Sequence, residues 1–190
     1  MSSHFTVIYD ACVLYPAPLR DLLMRLALTD LYRARWTDMI HEEWIRNVLK
    51  QRPDLKPEDL SRTRSLMNAH VRDSLITNFE HLIPSVELPD NDDRHVVAAA
   101  IHSGANLIVT FNLKDFPSEQ LKRYNLVAQH PDDFIFDLLD LHPASVCEAA
   151  AIHRRSLKNP PKTVNEYLDT LLKQGLTQTV SLLKGWKVAL

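Results

Sequence analysis

Glycine is almost missing from this chain: there are three in 190 residues. A Gly-rich phosphate loop is therefore excluded, and neither G-x-x-x-x-G-K-[ST] nor G-x-G-x-x-G occurs, which argues against the usual nucleotide-triphosphate and dinucleotide chemistries. Cysteine is nearly as scarce. Cys12 and Cys147 stand far apart and make no metal-spacing motif, so both are expected to be plain packing residues in a reduced, cytoplasmic setting. No apolar run is long enough to span a bilayer, and Met1 to Asp10 lacks the layout of a signal peptide, so no membrane role is expected. Strong charge of one sign is lacking too: the formal net charge is −2. G-x-S-x-G is absent, and His41-Glu42 is followed by Ile45 where H-E-x-x-H needs its second histidine. His95 and His102 are assigned ordinary surface or core roles, and Trp36, Trp44 and Trp186 core or interface roles.

What is present is the composition of a globular domain, 45% apolar and 24% charged. The charge is uneven. Residues 151–190 carry seven Lys/Arg against Glu166 and Asp169, leaving 15 basic and 22 acidic residues in 1–150. An acidic body still binds RNA if divalent cations occupy some carboxylates and reverse the local field.

Periodicity predicts alternating strands and helices. His4 to Asp10 reads as a strand, and Pro16 and Pro18 open a helix carrying Leu19, Leu22, Leu23 and Leu26. A strand over Ala34–Thr37 precedes a helix capped by Thr37 or Asp38, with Ile40, Trp44 and Val48 inward. A helix from Pro57 to about Arg72 buries Leu60, Leu66 and Met67, and Ile83 to Leu88 is expected to be a short strand around Pro84. Asp90-Asn91-Asp92-Asp93 enters a helix with Val96, Val97, Ala100 and Ile101 buried, stopped by Gly104. Asn106 to Phe111 is an apolar strand of the buried parallel kind, Leu126–Ala128 another strand, and Pro131–Leu141 a helix. Beyond His142-Pro143 three further helices follow, over 144–157, 164–173 and 176–183. The expected architecture is an α/β three-layer sandwich, helices over both faces of a central parallel sheet, spanning 1–140, with a helical C-terminal extension over 141–190.

In such a sheet ligands bind beyond the carboxyl ends of the strands. That rule selects Asp10 at the end of the first strand, Asp115 in the loop after NLIVTF, Asp93 at the start of an inward-facing helix, and Glu43 just before Trp44. Several inward carboxylates repel one another and lose hydration, and a hard divalent ion such as Mg²⁺ or Mn²⁺ relieves both costs. Such an ion activates water and neutralises charge on a phosphodiester.

YDACVLYP, HEEWIRNVL and DNDDRHVVAAAIHSGANLIVTFNLKDF, in that order, resemble the PIN-domain nucleases over roughly residues 5–140. The last segment is the most specific, an Asp-started, Ala-rich helix followed by Thr110-Phe111-Asn112-Leu113-Lys114-Asp115-Phe116, the family's T-x-N-x-x-D-F. The resemblance implies a PIN-like fold and an acidic quartet of Asp10, Glu43, Asp93 and Asp115 that is both metal-holding and catalytic, supported by Thr110 and Asn112. Glu42 adjoins Glu43, which is preferred because the family's acid directly precedes an apolar residue. Asn112 stands where some relatives carry Asp, and brings no charge. Asp90 either caps its helix or joins the metal shell, and Asp92 reads as surface. Arg46, Lys50 and Arg52 either touch RNA phosphates or form a solvated face. The implied function is a metal-dependent endoribonuclease, with Mg²⁺ or Mn²⁺ as cofactor. VapC-type toxins of this kind imply an RNA substrate, a cognate antitoxin and a homodimer. The alternative is a catalytically weak PIN-like RNA-binding or scaffold protein.

Overall fold

The computed structural model describes residues 5–190. His4, expected to start the first strand, lies outside the described residues. Five parallel strands form the centre: β1 (Thr6–Tyr9), β2 (Arg33–Thr37), β3 (Leu75–Ile76), β4 (Leu107–Val109) and β5 (Val127–Gln129). Their order across the sheet is β3-β2-β1-β4-β5. Successive residues of a strand face opposite sides, yet all four residues of β1 and all three of β4 are buried. Both faces are therefore covered, which makes the fold the PIN-like α/β/α sandwich expected.

The helices of the α/β body are α1 (Ala11–Leu14), α2 (Ala17–Ala27), α3 (Asp38–Gln51), α4 (Pro57–His70), α5 (Arg94–Ser103), α6 (Ser118–Leu121) and α7 (Pro131–Leu141). Thr37 caps α3 by accepting a hydrogen bond from the Ile40 amide at 3.1 Å, which settles the choice between Thr37 and Asp38. Helix α5 is buried continuously from His95 to Ala100. A helix apolar on every side belongs in a core, and its alanines allow close approach to the sheet. Gly104 ends α5 with φ +62°, a left-handed C-cap that glycine adopts without penalty.

Three more helices follow: α8 (Pro143–Ser156), α9 (Val164–Leu172) and α10 (Thr177–Leu183). Thr163 and Glu166 form a reciprocal capping box at α9. The last segment is tied back through Asp132 in α7, whose buried carboxylate accepts from the amides of Gln178 at 2.8 Å and Thr179 at 2.9 Å. These are two of the orphan donors at the α10 N-terminus, so one side chain fixes the end of the chain against the body. Among the described residues no helix is long and apolar enough to cross a membrane.

Several expectations fail locally. Ile83 to Leu88 is not a strand: Glu80–Ser85 is a 3-10 turn containing Pro84, and proline cannot donate to a sheet ladder. The strand in this region is β3, two residues long and earlier. Leu66 is 48% exposed on α4, and Ile101 is only half-buried. Trp186 is 43% exposed near the end of the chain, whereas Trp36 and Trp44 are fully buried.

Candidate metal centre

The strand order reverses on either side of β1, since the chain goes first to β2 and later returns to β4 on the other flank. Such a switch point leaves a crevice beyond the carboxyl ends of the two central strands. Asp10 and Thr110 are the residues that immediately follow β1 and β4, whose last residues, Tyr9 and Val109, are register partners.

Thr110 donates its hydroxyl to Asp10 Oδ2 at 2.7 Å. The Cys12 thiol donates to the same oxygen at 3.1 Å, and the Ala11 amide donates to Oδ1 at 2.7 Å. A carboxylate has about four acceptor directions, so roughly one stays free. Burial pushes the Asp10 carboxyl above its ordinary range; the bonds from Thr110 and Cys12 oppose the shift, and nearby Glu43 adds to it. The net direction is upward, so the protein's own donors do not fully support the anion.

Asp93 is the N-cap residue of α5 but makes no capping hydrogen bond, which leaves its carboxylate free. It is half-buried, and its carboxyl is pushed up from 3.8 to about 7, first by loss of solvent and then by Asp10, Asp90, Glu43 and Asp115. Four acidic neighbours are thus near enough to act on Asp93. Within the set, carboxylate oxygens of Asp90, Asp93 and Asp115 lie within 4.8 Å of one another. Ligands on opposite sides of a Mg²⁺ stand about 4.2 Å apart, so small side-chain adjustments would let all three reach one ion. An all-oxygen, anionic donor set suits Mg²⁺ or Mn²⁺ better than a soft metal. Asp10 and Glu43 stand outside this close trio, near enough to act on Asp93 through space.

The flanking residues have assignable tasks. Asn112 contacts Asp115 through its side-chain amide, and its backbone amide donates to Thr110 Oγ1 at 3.0 Å. The strand-end hydroxyl thus links the β4 loop to Asp10. Asp90 accepts from the Asp92 amide at 2.9 Å, which closes the turn before α5 and does not cap the helix itself. Glu43 lies on α3 with its carboxylate 3.5 Å from Nε2 of His95, whereas its neighbour Glu42 is exposed.

Two further residues adjoin the acids. Cys12 is no mere packing residue. Besides its bond to Asp10, its sulfur lies 3.3 Å from Thr110 Oγ1 and accepts the Phe111 amide at 3.3 Å. Burial, then Asp10, pushes the thiol well above its ordinary range, so it stays protonated and serves as a donor. The signal lay in D-x-C at the entry to a helical turn, which folds the third side chain back on the first. His95 has the core role expected of it, buried beside Glu43, and its other ring nitrogen, Nδ1, has no hydrogen-bond partner among the described residues.

Comparison with known proteins found two relatives. The family model described as VapC50 C-terminal domain matches residues 131–185, which begin at α7. A curated Mycobacterium tuberculosis (strain ATCC 25618 / H37Rv) protein named "Putative ribonuclease VapC50" is 44% identical over 82 residues, covering 43% of this chain and 48% of that protein. The match thus spans about half the length of the relative. No solved structure matches. On its motifs, its PIN-like sheet and these two matches, the chain resembles the VapC-type PIN-domain nucleases.

Proposed function

We propose that the protein is a metal-dependent endoribonuclease, the toxin of a toxin–antitoxin pair, hydrolysing RNA phosphodiester bonds to leave 5′-phosphate and 3′-hydroxyl ends. The observation that carries the reading is the gathering of acids at the switch point of the sheet: carboxylate oxygens of Asp90, Asp93 and Asp115 lie within 4.8 Å of one another, and Asp10 and Glu43 are close enough to act on Asp93. Uncompensated carboxylates destabilise a fold, and a site that gathers five of them needs a reason.

Asp93, Asp115 and Asp90 would hold the ion, with Asp10 and Glu43 completing the shell or holding a second ion. A bound Mg²⁺ or Mn²⁺ supplies Lewis acidity to the phosphodiester and lowers the pKa of water. The chain's own part is positional. Thr110, Cys12 and the Ala11 amide fix the Asp10 carboxylate in one rotamer, and Asn112 steadies Asp115. Preorganised charge of this kind costs no rearrangement during the reaction. We assign the nuclease unit to 1–140 and an extension to 141–190, a cytoplasmic setting, and a small antitoxin and a second copy of this chain as partners. The name of the VapC50 relative supports the ribonuclease assignment.

The test is cleavage of purified RNA with Mn²⁺ or Mg²⁺, in EDTA, and by Asp10→Asn and Asp115→Asn. Cleavage that needs the ion and falls by at least a hundredfold in both variants is expected, as about 2.7 kcal/mol of lost transition-state stabilisation gives. Undiminished cleavage by pure Asp10→Asn removes Asp10 from the mechanism. Metal-saturated protein that binds RNA without cutting it favours the scaffold reading, to which the uncharged Asn112 lends itself.

A further inference from the structure

A groove of about 380 Å³ runs beside the acids, lined by Cys12, Tyr15, Glu43, Asn47, Lys50 and Gln51. Its walls are α1 and α3. Cys12 and Tyr15 are three residues apart at α1, while Glu43, Asn47, Lys50 and Gln51 fall at i, i+4, i+7 and i+8 of α3 and so share one face. One end borders the acids: Cys12 donates to Asp10, and Glu43 lies 3.5 Å from His95 at the start of α5, next to Asp93.

We propose that this groove is a subsite for one unpaired nucleotide of the RNA strand, next to the bond that is cut. The inference rests on the ribonuclease reading and adds the residues that grip the substrate. Each lining group offers a different part of the required chemistry. Tyr15 is a half-buried ring whose hydroxyl makes no hydrogen bond among the described residues. Rings so placed stack on any base, since every base has a π-face. Asn47 and Gln51 are amides, each with a donor and an acceptor, and neither side chain is bonded to another described residue. Amides of this kind read the edges of unstacked bases. Lys50 forms no ion pair among the described residues, so its ammonium is free for a phosphate. That cation matters here because the neighbouring acids repel a polyanion. A duplex keeps its bases stacked inward and cannot offer one to the groove.

The test uses a short single-stranded oligoribonucleotide and a set in which each base in turn is replaced by an abasic residue. Binding is read by fluorescence anisotropy in the Asp93→Asn background, where the ion is not held and cleavage is expected to stop, and cleavage is read in the wild-type background. One abasic position is expected to weaken binding by about five- to a hundredfold, as loss of one stacked base does. Tyr15→Ala weakens binding of the intact strand by a similar factor and no longer responds to that abasic position. Tyr15→Phe, which keeps the ring, binds like the parent. In the cleavage arm the same changes raise KM and leave kcat near its original value. Identical abasic profiles for the parent and Tyr15→Ala, or equal competition by duplex RNA, overturn the subsite. If wild-type protein fails to cleave with either ion, the nuclease reading falls, and the anisotropy arm alone still decides the groove.

Discussion

Replacing Asp93 by Asn should stabilise the metal-free protein, although it removes a residue from the centre of its function. In the folded chain this carboxyl titrates near 7, against an ordinary 3.8. At about 1.4 kcal/mol per unit the shift amounts to ~4 kcal/mol in a dry site. Asp93 is only half-buried, and water and salt screen its neighbours, so ~1–2 kcal/mol is the expected remainder. The sign follows from linkage. The folded carboxyl keeps its proton to higher pH than the unfolded one, so its stabilising effect is full below 3.8 and is lost as pH rises through 7. Wild-type protein in EDTA should therefore lose more stability than Asp93→Asn between pH 4 and pH 8, and the gap should be widest above 7. For a chain of this size ~1–2 kcal/mol corresponds to about 2–8 °C in Tm. The assay is thermal unfolding in EDTA across that pH range, then with Mn²⁺. Wild type should be stabilised by Mn²⁺ and the variant much less. An Asp93→Asn protein that melts at or below the wild-type temperature in EDTA at pH 8, and responds equally to Mn²⁺, refutes the reasoning.

Three further outcomes follow from particular side chains. His153 is fully buried, with Nδ1 3.0 Å from the Tyr167 hydroxyl, and burial, with the Arg25 charge, pushes it down from 6.5 to about 4. The neutral ring is what the fold accommodates, so its contribution is intact above 6.5 and about 3 kcal/mol of it is lost as pH falls towards 4. Urea unfolding of His153→Gln, which cannot take up the proton, should show a shallower loss over that interval, and parallel curves would contradict this. Asp132→Ala strips two amides at the start of α10 of their acceptor, at a cost of about 3 kcal/mol or more. Hydrogen exchange should then accelerate across 177–190 ahead of the sheet, and uniform acceleration would argue against a local tie. Cys12→Ser keeps a donor to Asp10 and should hold metal as wild type does, whereas Cys12→Ala should bind Mn²⁺ more weakly by a few-fold. Equal affinities in calorimetry would reduce the thiol to packing.

The elements that place the site were the most legible. Val7, Ile8 and Tyr9 form an apolar, β-rich run broken by a single Asp, and Leu107–Val109 lie between a helix-stopping Gly104 and a polar loop. The α7 bounds, Pro131–Leu141, are those expected, because Pro131 at the first helical position and Pro143 after the end punctuate the pattern. What could not be read was set by tertiary contact. Leu75–Ile76 forms a strand because β2 supplies a ladder beside it, and two residues carry no periodicity. Leu88 and Val86 are buried, so the apolar spacing after Ile83 is real, but the chain there is 3-10 turn and coil. The pattern leaves Asp90 open between a cap and a ligand, and the turn geometry that makes the Asp92 amide its donor depends on backbone no pattern encodes. Cys12 is not legible as a donor, because a thiol two residues past an acid looks like any small apolar side chain until β4 brings Thr110 beside it.

Acids from distant parts of the chain are proposed to hold one hard dication. Mn²⁺ titration followed by the electron paramagnetic resonance of the free ion measures this directly. Wild-type protein should take up about one to two equivalents, and Asp115→Asn and Asp93→Asn should each leave most of that ion free while their circular dichroism matches wild type. Folded variants that sequester Mn²⁺ as wild type does would show that the ion, if held at all, is held elsewhere.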